Sequence, residues 1–176
     1  MADDKNKYFI GIGLPEKEEK LILFVKQQFV ETKGKTTPVH ITLTEPFYID
    51  NEKILLDDLE NWAKKQFIFN VNIEGVKSFK QLTYATIFLS PVEKEELKNL
   101  QASIVKEIDY LPNRGNFEPH LTIANGVDFQ NLETSVARLK IMGIKLKLII
   151  DKVILYKMKG GSIWKKYKVF TLTREL

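Results

Sequence analysis

The only two histidines of this chain, which has no cysteine, lie in the same four-residue motif. Residues 40–43 read His-Ile-Thr-Leu and residues 120–123 read His-Leu-Thr-Ile. Side chains at positions i and i+2 of a β-strand point to the same face. Each motif therefore predicts a strand that presents an imidazole and a hydroxyl side by side, anchored by the apolar residues between them.

Two imidazoles and two hydroxyls are suited to phosphoryl chemistry. Histidine, with an ordinary pKa of about 6.5, transfers protons in both directions near neutral pH. A pair of histidines can supply one general base and one general acid, each worth ~10²–10⁴-fold in rate. Threonine hydroxyls can donate hydrogen bonds to phosphate oxygens. Such a site could transfer a phosphodiester without a metal.

Several other chemistries are excluded by composition. Without cysteine there is no thiolate zinc site, no disulfide scaffold and no cysteine nucleophile. Two histidines do not suffice for a histidine-rich metal site, and no P-loop, Gly-x-Ser-x-Gly motif or carboxylate cluster with metal spacing is present. Gly11 and Gly13 lack the third glycine of a dinucleotide fingerprint, so close packing beside the cleft explains them better. We expect no metal and no cofactor.

The elements that must position the motifs follow from the hydrophobic periodicity. Helices are predicted over residues 16–32, 50–65, 93–108 and 129–140. Strands are predicted over residues 8–14, 40–47, 67–73, 83–89, 120–124, 144–148, 153–158 and 168–172. The order strand, proline, helix, loop, histidine strand, helix, strand occurs twice. This repeat predicts an α+β fold in which residues 1–176 form one bilobal domain around a central cleft. Its halves, about 8–80 and 81–176, would each have a mainly antiparallel sheet with flanking helices, and strand exchange between them is left open.

The paired motifs resemble those of the two-histidine (2H) phosphoesterase superfamily, which includes bacterial RNA 2′,5′-ligase-like proteins and 2′,3′-cyclic nucleotide phosphodiesterases. The similarity in element order and size extends from residue 8 to residue 172, and the small size is similar to the compact bacterial members. It implies a pseudo-twofold axis, His40 and His120 as the acid–base pair, and Thr42 and Thr122 as phosphate ligands. The implied activity is metal-independent hydrolysis of 2′,3′-cyclic or 2′,5′-linked phosphodiesters of nucleotides or RNA ends. Which histidine is the acid does not follow from the motif.

Further residues are candidates for substrate contacts, each with a structural alternative. Phe47 could stack on a base or pack in the core, and Trp164 could form a nucleotide platform or be partly buried. Arg114, in the loop before the second motif, could clamp a terminal phosphate or be an ordinary surface residue. Tyr167 resembles a tyrosine of the family's closing strand that reaches the substrate. Thr44 would share the face of the first motif, where it would extend the polar cleft or be solvated.

The charge pattern keeps other functions open. The net charge is +4, and residues 138–168 contain ten basic side chains against one acid. A basic surface attracts phosphate-bearing ligands, although lysines also protect an exposed sheet edge. The alternatives are therefore an RNA- or nucleotide-binding protein with little turnover, and ligation by the reverse reaction. No apolar run approaches the roughly 18 residues of a membrane span, and the N-terminus lacks a signal-peptide pattern. We expect a cytoplasmic protein that needs no membrane and no obligatory protein partner.

Overall fold

The computed structural model describes residues 6–29, 37–113, 115–160 and 163–174. Within these ranges the chain forms four helices and nine strands. The helices are α1 (Glu16–Gln27), α2 (Glu52–Ala63), α3 (Glu95–Glu107) and α4 (Phe129–Ile141). The strands are β1 (Lys7–Gly13), β2 (His40–Thr42), β3 (Phe47–Tyr48), β4 (Phe69–Lys80), β5 (Ala85–Pro91), β6 (Leu121–Val127), β7 (Leu146–Ile150), β8 (Lys152–Met158) and β9 (Trp164–Thr171).

The strands form one sheet in the order β7-β4-β5-β6-β2-β1-β8-β9, and β3 pairs with the start of β1. All pairings between these strands are antiparallel. A parallel bridge between Phe67 and Thr173 joins the chain before β4 to the chain after β9. Because β4 and β9 lie near opposite ends of the strand order, this bridge requires a strongly curled sheet.

One face of the sheet packs against the helices. Alternate residues of β1 (Tyr8, Ile10 and Ile12) share a continuous core with the apolar stripes of all four helices. The other alternate residues of the strand point away, and Phe9 belongs to a separate small cluster with Ile154 and Tyr156. The sheet thus has a helix-covered face and a second face, on which the histidine motifs lie.

The strand predicted over residues 40–47 is divided into β2 and β3. The backbone N–H groups of Leu43 and Thr44 both donate to the carbonyl of Ile10, at 2.8 and 3.2 Å. The N–H of Ile10 in turn donates to Oγ1 of Thr44 at 2.9 Å. This irregularity turns Thr44 into the protein, where it is fully buried. The prediction that Thr44 is solvated or lines the cleft is therefore wrong.

Strand β6 ends at Val127, three residues beyond its predicted end, and β4 and β9 differ more from the prediction. The alternation of apolar residues ends at Ile73, but β4 continues to Lys80 and pairs with β5 after an irregularity between Ile73 and Gly75. Strand β9 begins at Trp164 rather than near residue 168. Both extensions consist largely of polar, exposed residues, so hydrophobicity alone does not mark them.

The α+β class with an antiparallel sheet and flanking helices is confirmed. Strands β8 and β9 pair beside β1, whereas β4 lies between β5 and β7. Elements from either half of the chain thus sit beside elements of the other half, and the division into two lobes stays a prediction. In the part of the chain that the structure describes, no helix is long and apolar enough to cross a membrane.

Candidate active site

The two histidine motifs meet at the middle of the sheet. Strands β2 and β6 are antiparallel, and Ile41 pairs with Leu121. Both of these residues are fully buried, whereas the flanking His40, Thr42, His120 and Thr122 are half-buried. An antiparallel pair centred on Ile41 and Leu121 sets the motifs head to tail, with His40 on the side of Thr122 and Thr42 on the side of His120. All four polar side chains therefore lie on the sheet face away from the helices.

Each imidazole is held in the same way. Nδ1 of His40 lies 2.6 Å from the carbonyl of Pro38, and Nδ1 of His120 lies 2.7 Å from the carbonyl of Glu118. In both motifs the acceptor is two residues before the histidine. Because a carbonyl only accepts hydrogen bonds, Nδ1 must carry the proton, and Nε2 is the basic nitrogen of each neutral ring. The loops before the strands thereby assign proton exchange to Nε2.

The first motif contains an internal hydrogen bond. Oγ1 of Thr42 lies 2.9 Å from Nε2 of His40. Since Nδ1 of this ring donates to Pro38, the threonine hydroxyl donates to Nε2 when the ring is neutral. Thr42 and His40 are thus side by side, as the spacing of the motif predicts.

An aromatic cluster, formed by Phe9, Tyr156 and Trp164, lies beside His40. The rings of Phe9 and Tyr156 are stacked with centroids 4.5 Å apart, and Trp164 meets Phe9 edge-on at 4.7 Å. The His40 ring lies 4.7 Å from Phe9 and 5.4 Å from Tyr156. Burial raises the pKa of Tyr156, whose hydroxyl has no hydrogen-bond partner among the described residues. Trp164, a predicted contact, is thus partly buried and close to the first motif.

His120 has two different aromatic neighbours. Its ring lies 5.2 Å from both Phe79 and Phe88, perpendicular to the first and tilted against the second. Phe88 pairs with Thr122 across β5 and β6, so both face the cleft. Neither these two residues nor Phe9 was predicted from the sequence. Only strand pairing, which joins residues distant in the chain, reveals which face of each strand they occupy.

The Glu118 cluster, formed by Glu118, Lys77 and Lys94, lies two residues before His120. Oε1 of Glu118 accepts a hydrogen bond from Nζ of Lys94 and lies 4.0 Å from Nζ of Lys77. The bond to Lys94 lowers the pKa of Glu118 and raises that of Lys94, in each case against partial burial. The backbone carbonyl of Glu118 holds His120, and the side chain of Glu118 is itself held by contacts with charged residues.

Two predicted contacts do not lie at this site. Phe47 pairs with Tyr8 across β3 and β1, which places it on the helix-covered face, and it is buried there. Tyr167 donates a hydrogen bond to Glu52 of α2, together with Tyr8. Its hydroxyl is thus on the helix side and does not reach the histidines. Arg114 lies outside the described residues.

The basic segment of residues 138–168 is partly neutralised by ion pairs. It contains lysines on β7, β8 and β9. Several of them are paired with acids, for example Lys145 with Glu74, Lys157 with Glu52 and Lys166 with Glu19. The formal charge of the segment therefore overstates the positive charge that is available to a ligand.

A profile of the 2′-5′ RNA ligase superfamily matches residues 26–162, and the chain belongs to this superfamily. A protein of Halalkalibacterium halodurans named "Putative phosphoesterase BH1439" is 28% identical over 141 residues, which cover 78% of this chain and 81% of that protein. A protein of Oceanobacillus iheyensis named "Putative phosphoesterase OB1230" is 29% identical over 142 residues, or 78% and 82% of the two chains.

Solved structures share the fold at low identity. E. coli LigT in its apo form superposes with a TM-score of 0.67 at 15% identity, covering 98% of this chain and all of LigT. TT0787 of Thermus thermophilus gives a TM-score of 0.63 at 18% identity, covering 97% and 100% of the two chains. The resemblance drawn from the two motifs is confirmed, and the protein is a phosphoesterase of this superfamily.

Proposed function

We propose that the protein hydrolyses 2′,3′-cyclic or 2′,5′-linked phosphodiesters of nucleotides or RNA ends by acid–base catalysis between His40 and His120. The observation that supports this most directly is the matched hydrogen bonding of the two rings. Each Nδ1 donates to the carbonyl two residues earlier, so each Nε2 is the nitrogen that gains or loses a proton. Two oriented imidazoles meet the needs of a reaction that requires one base and one acid.

The reaction begins with a neutral ring and a protonated ring. Nε2 of the neutral histidine takes a proton from water as the water oxygen attacks phosphorus. The bond from phosphorus to one ribose oxygen breaks, and Nε2 of the other histidine gives its proton to that oxygen. Hydrolysis of a 2′,3′-cyclic phosphate thus leaves a phosphomonoester and a free hydroxyl on the same ribose.

The threonines have a matching role as donors to the non-bridging phosphate oxygens. The hydroxyl of Thr42 already donates to Nε2 of His40, and a bound phosphate would offer it a charged acceptor, which gives a stronger bond. Its release from Nε2 would free that nitrogen for proton transfer. In support, E. coli LigT, with which this chain shares its fold, has structures complexed with 3′-AMP and with phosphate.

Turnover of purified protein with 2′,3′-cyclic nucleotides and 2′,5′-linked oligonucleotides tests the proposal. We expect His40→Ala and His120→Ala each to lower kcat/KM by ~10²–10⁴-fold, because each removes one partner of the proton transfer. Asn70→Ala, an exposed change on β4, is the matched control and should keep the wild-type rate. If neither substrate class is hydrolysed, or if both histidine variants keep full activity, the proposal fails.

The pH and metal dependence give an independent test. The rate should follow a bell-shaped pH profile, since one ring must be neutral and the other protonated in the same complex. Activity should survive EDTA, because the proposed steps require only protein side chains. A loss of activity in EDTA that added divalent metal restores would contradict this mechanism.

The two alternatives have distinct outcomes in the same assays. The basic segment of residues 138–168 motivates binding without turnover, although several of its lysines are paired with acids. Such binding would appear as RNA affinity that falls steeply with salt and is unaffected by His40→Ala. Ligation would use the same groups in reverse, by microscopic reversibility. It would appear as joining of a 2′,3′-cyclic end to a 5′-hydroxyl end, which His120→Ala should also abolish.

A further inference from the structure

The Glu118 cluster places positive charge on the cleft side of the sheet. Lys77 pairs with Phe88 across β4 and β5, and Phe88 pairs with Thr122 across β5 and β6. Residues paired directly across strands share a face, so Lys77 faces the same side as Thr122. Two strand spacings separate their backbones by about 10 Å. A lysine at this position can approach a group bound next to the one that Thr122 contacts.

The charges of the cluster are not balanced. One carboxylate oxygen of Glu118 is shared by the amino groups of Lys77 and Lys94. Lys98 also acts on Glu118 electrostatically, although its own partner is Glu95 at 3.3 Å. Neither Lys77 nor Lys94 has another acidic partner within 4.0 Å in the described ranges. Two cations against one anion leave a net positive charge beside His120.

We propose that Lys77 and Lys94 bind a second phosphate of the substrate, next to the phosphate held between the two histidines. This inference rests on the proposed function and names its substrate class: a nucleotide or oligonucleotide with a neighbouring phosphate, rather than a mononucleotide with one. Lys94 is the more buried of the pair, with a side chain 21% exposed, and Lys77 is 54% exposed. Lys94 is therefore the fixed cation, and Lys77 can swing toward the ligand.

Glu118 takes the place of the second phosphate when the site is empty. Its carboxylate neutralises part of the lysine charge and reduces the repulsion between the two neighbouring ammonium groups. A phosphate entering the site would compete with this carboxylate for Lys77. The backbone carbonyl of Glu118 holds His120, so occupation of the second site occurs next to the acid–base pair.

Equilibrium binding of two probes tests the proposal without any need for turnover. Adenosine 3′-monophosphate has one phosphate and adenosine 3′,5′-bisphosphate has two. Calorimetric titration should show that the wild-type protein binds the bisphosphate about tenfold more tightly, since a charge-assisted contact is added. Lys77→Ala and Lys94→Ala should each remove most of this advantage. Lys53→Ala, an exposed change on helix α2 on the other face of the sheet, is the control and should retain it.

Two further variants separate binding from a structural role. Lys77→Arg keeps the positive charge and should keep the preference for the bisphosphate, so the test does not depend on whether Lys94→Ala folds. Glu118→Gln should increase this preference, because it removes the competing carboxylate. If the wild type does not prefer the bisphosphate, or if Lys77→Ala keeps the preference, the proposal is overturned. Equal losses for both probes in Glu118→Gln would also overturn it, and would assign the cluster to positioning His120. A preference for the bisphosphate without any hydrolysis would contradict the proposed function alone.

Discussion

The His40 ring lies against a position on β1 that has no side chain. Gly11 pairs with Thr42, and a Cβ at Gly11 would stand 2.9 Å from the carbonyl oxygen of Ile41 and 3.3 Å from Cδ2 of His40. The closer contact is with backbone, which has no rotamer to change. Strand β2 would have to move away from β1, and the position of Nε2 of His40 would move with it.

Gly11→Ala should therefore damage activity as well as stability. We expect a loss of roughly 1–3 kcal/mol in the free energy of unfolding, as for other overpacked sites, together with a fall in kcat for the cyclic substrate. Gly75→Ala is the matched control. Its closest contact is longer and is with a side chain, the Cβ of Ser90 at 3.3 Å, so both losses should be smaller. Thermal melting and steady-state kinetics measure the two effects. A Gly11→Ala protein with wild-type kcat would show that this close approach does not position His40.

At the residue scale, burial was predicted correctly where the alternation of side chains along a strand determines it. The half-buried His and Thr of each motif, with buried residues between them, follow from a period of two. Thr44 shows the limit, because two N–H groups share the carbonyl of Ile10 and the alternation slips. Phe47 falls on the helix side because it pairs with Tyr8. Tyr167 lies in the register shift between β8 and β9, and its hydroxyl is bonded to Glu52. A pattern within one strand indicates neither the covered face nor such a shift.

At the scale of elements, Glu52 joins helix α2 to three strands. It accepts hydrogen bonds from Tyr8 of β1, Lys157 of β8 at 2.5 Å, and Tyr167 of β9. The amino group of Lys157 also lies 4.3 Å from the centroid of the Tyr167 ring. Partial burial would raise the pKa of Glu52, but the bonds from Lys157, Tyr167 and Tyr8 outweigh it and lower the pKa to about 2.

The lowered pKa predicts an acid-dependent contribution to stability. The ionised carboxylate stabilises the folded state above the ordinary glutamate pKa of 4.5, and this contribution disappears as the pH falls toward about 2. Glu52→Gln should lower the free energy of unfolding at neutral pH by on the order of 1–2 kcal/mol after solvent screening. The difference from wild type should vanish in acid.

Denaturant unfolding from pH 7 to pH 2 measures this difference. Glu60→Gln, which removes an exposed pair with Lys64 at 3.5 Å in the same helix, is the control and should change little. A Glu52→Gln effect that is constant with pH would mean that packing, rather than ionisation, provides the stabilisation.

The bounds of α2, α3 and α4 agree with the prediction within two residues, whereas α1 ends at Gln27, five residues before its predicted end. The contacts of Glu52 could not be predicted. Helix periodicity is local, and α4 begins at residue 129 as predicted. The ends of β4 and β9 depend on pairing with β5 and β8, and no local signal marks polar residues that pair in this way. The contacts of Glu52 link residues more than 40 positions apart.

At the scale of the whole molecule, the two ends of the curled sheet are joined by the chain around Thr173. The N–H of Thr173 donates to the carbonyl of Gln66 at 2.8 Å, and the N–H of Ile68 donates to the carbonyl of Thr173 at 3.0 Å. Oγ1 of Thr173 also donates to the carbonyl of Lys64 at 2.6 Å. A few residues after β9 therefore connect it to the segment before β4.

Ending the chain after Leu172 should weaken this closure. Three hydrogen bonds are lost, and at about 1 kcal/mol each the free energy of unfolding should fall by roughly 2–3 kcal/mol. The melting temperature should drop by several degrees, given about 2–4 °C per kcal/mol for a protein of this size. Thr173→Ala is the control, since it keeps both backbone bonds and should lose about a third of the effect. Unchanged melting of the shortened chain would mean that the closure contributes nothing.

The antiparallel pairing of Ile41 with Leu121 also gives the candidate site a local twofold symmetry. Half a turn about that pair exchanges one histidine motif with the other, so the four motif side chains do not distinguish the two directions of a nucleic-acid strand. The surroundings of the motifs do distinguish the two directions, because the aromatic cluster lies beside His40 and the Glu118 cluster lies beside His120. Under the proposed function, the polarity of a bound strand would therefore be set by these two clusters and not by the acid–base pair. Exchanging the two clusters would reverse the direction of binding while the proposed chemistry stays the same.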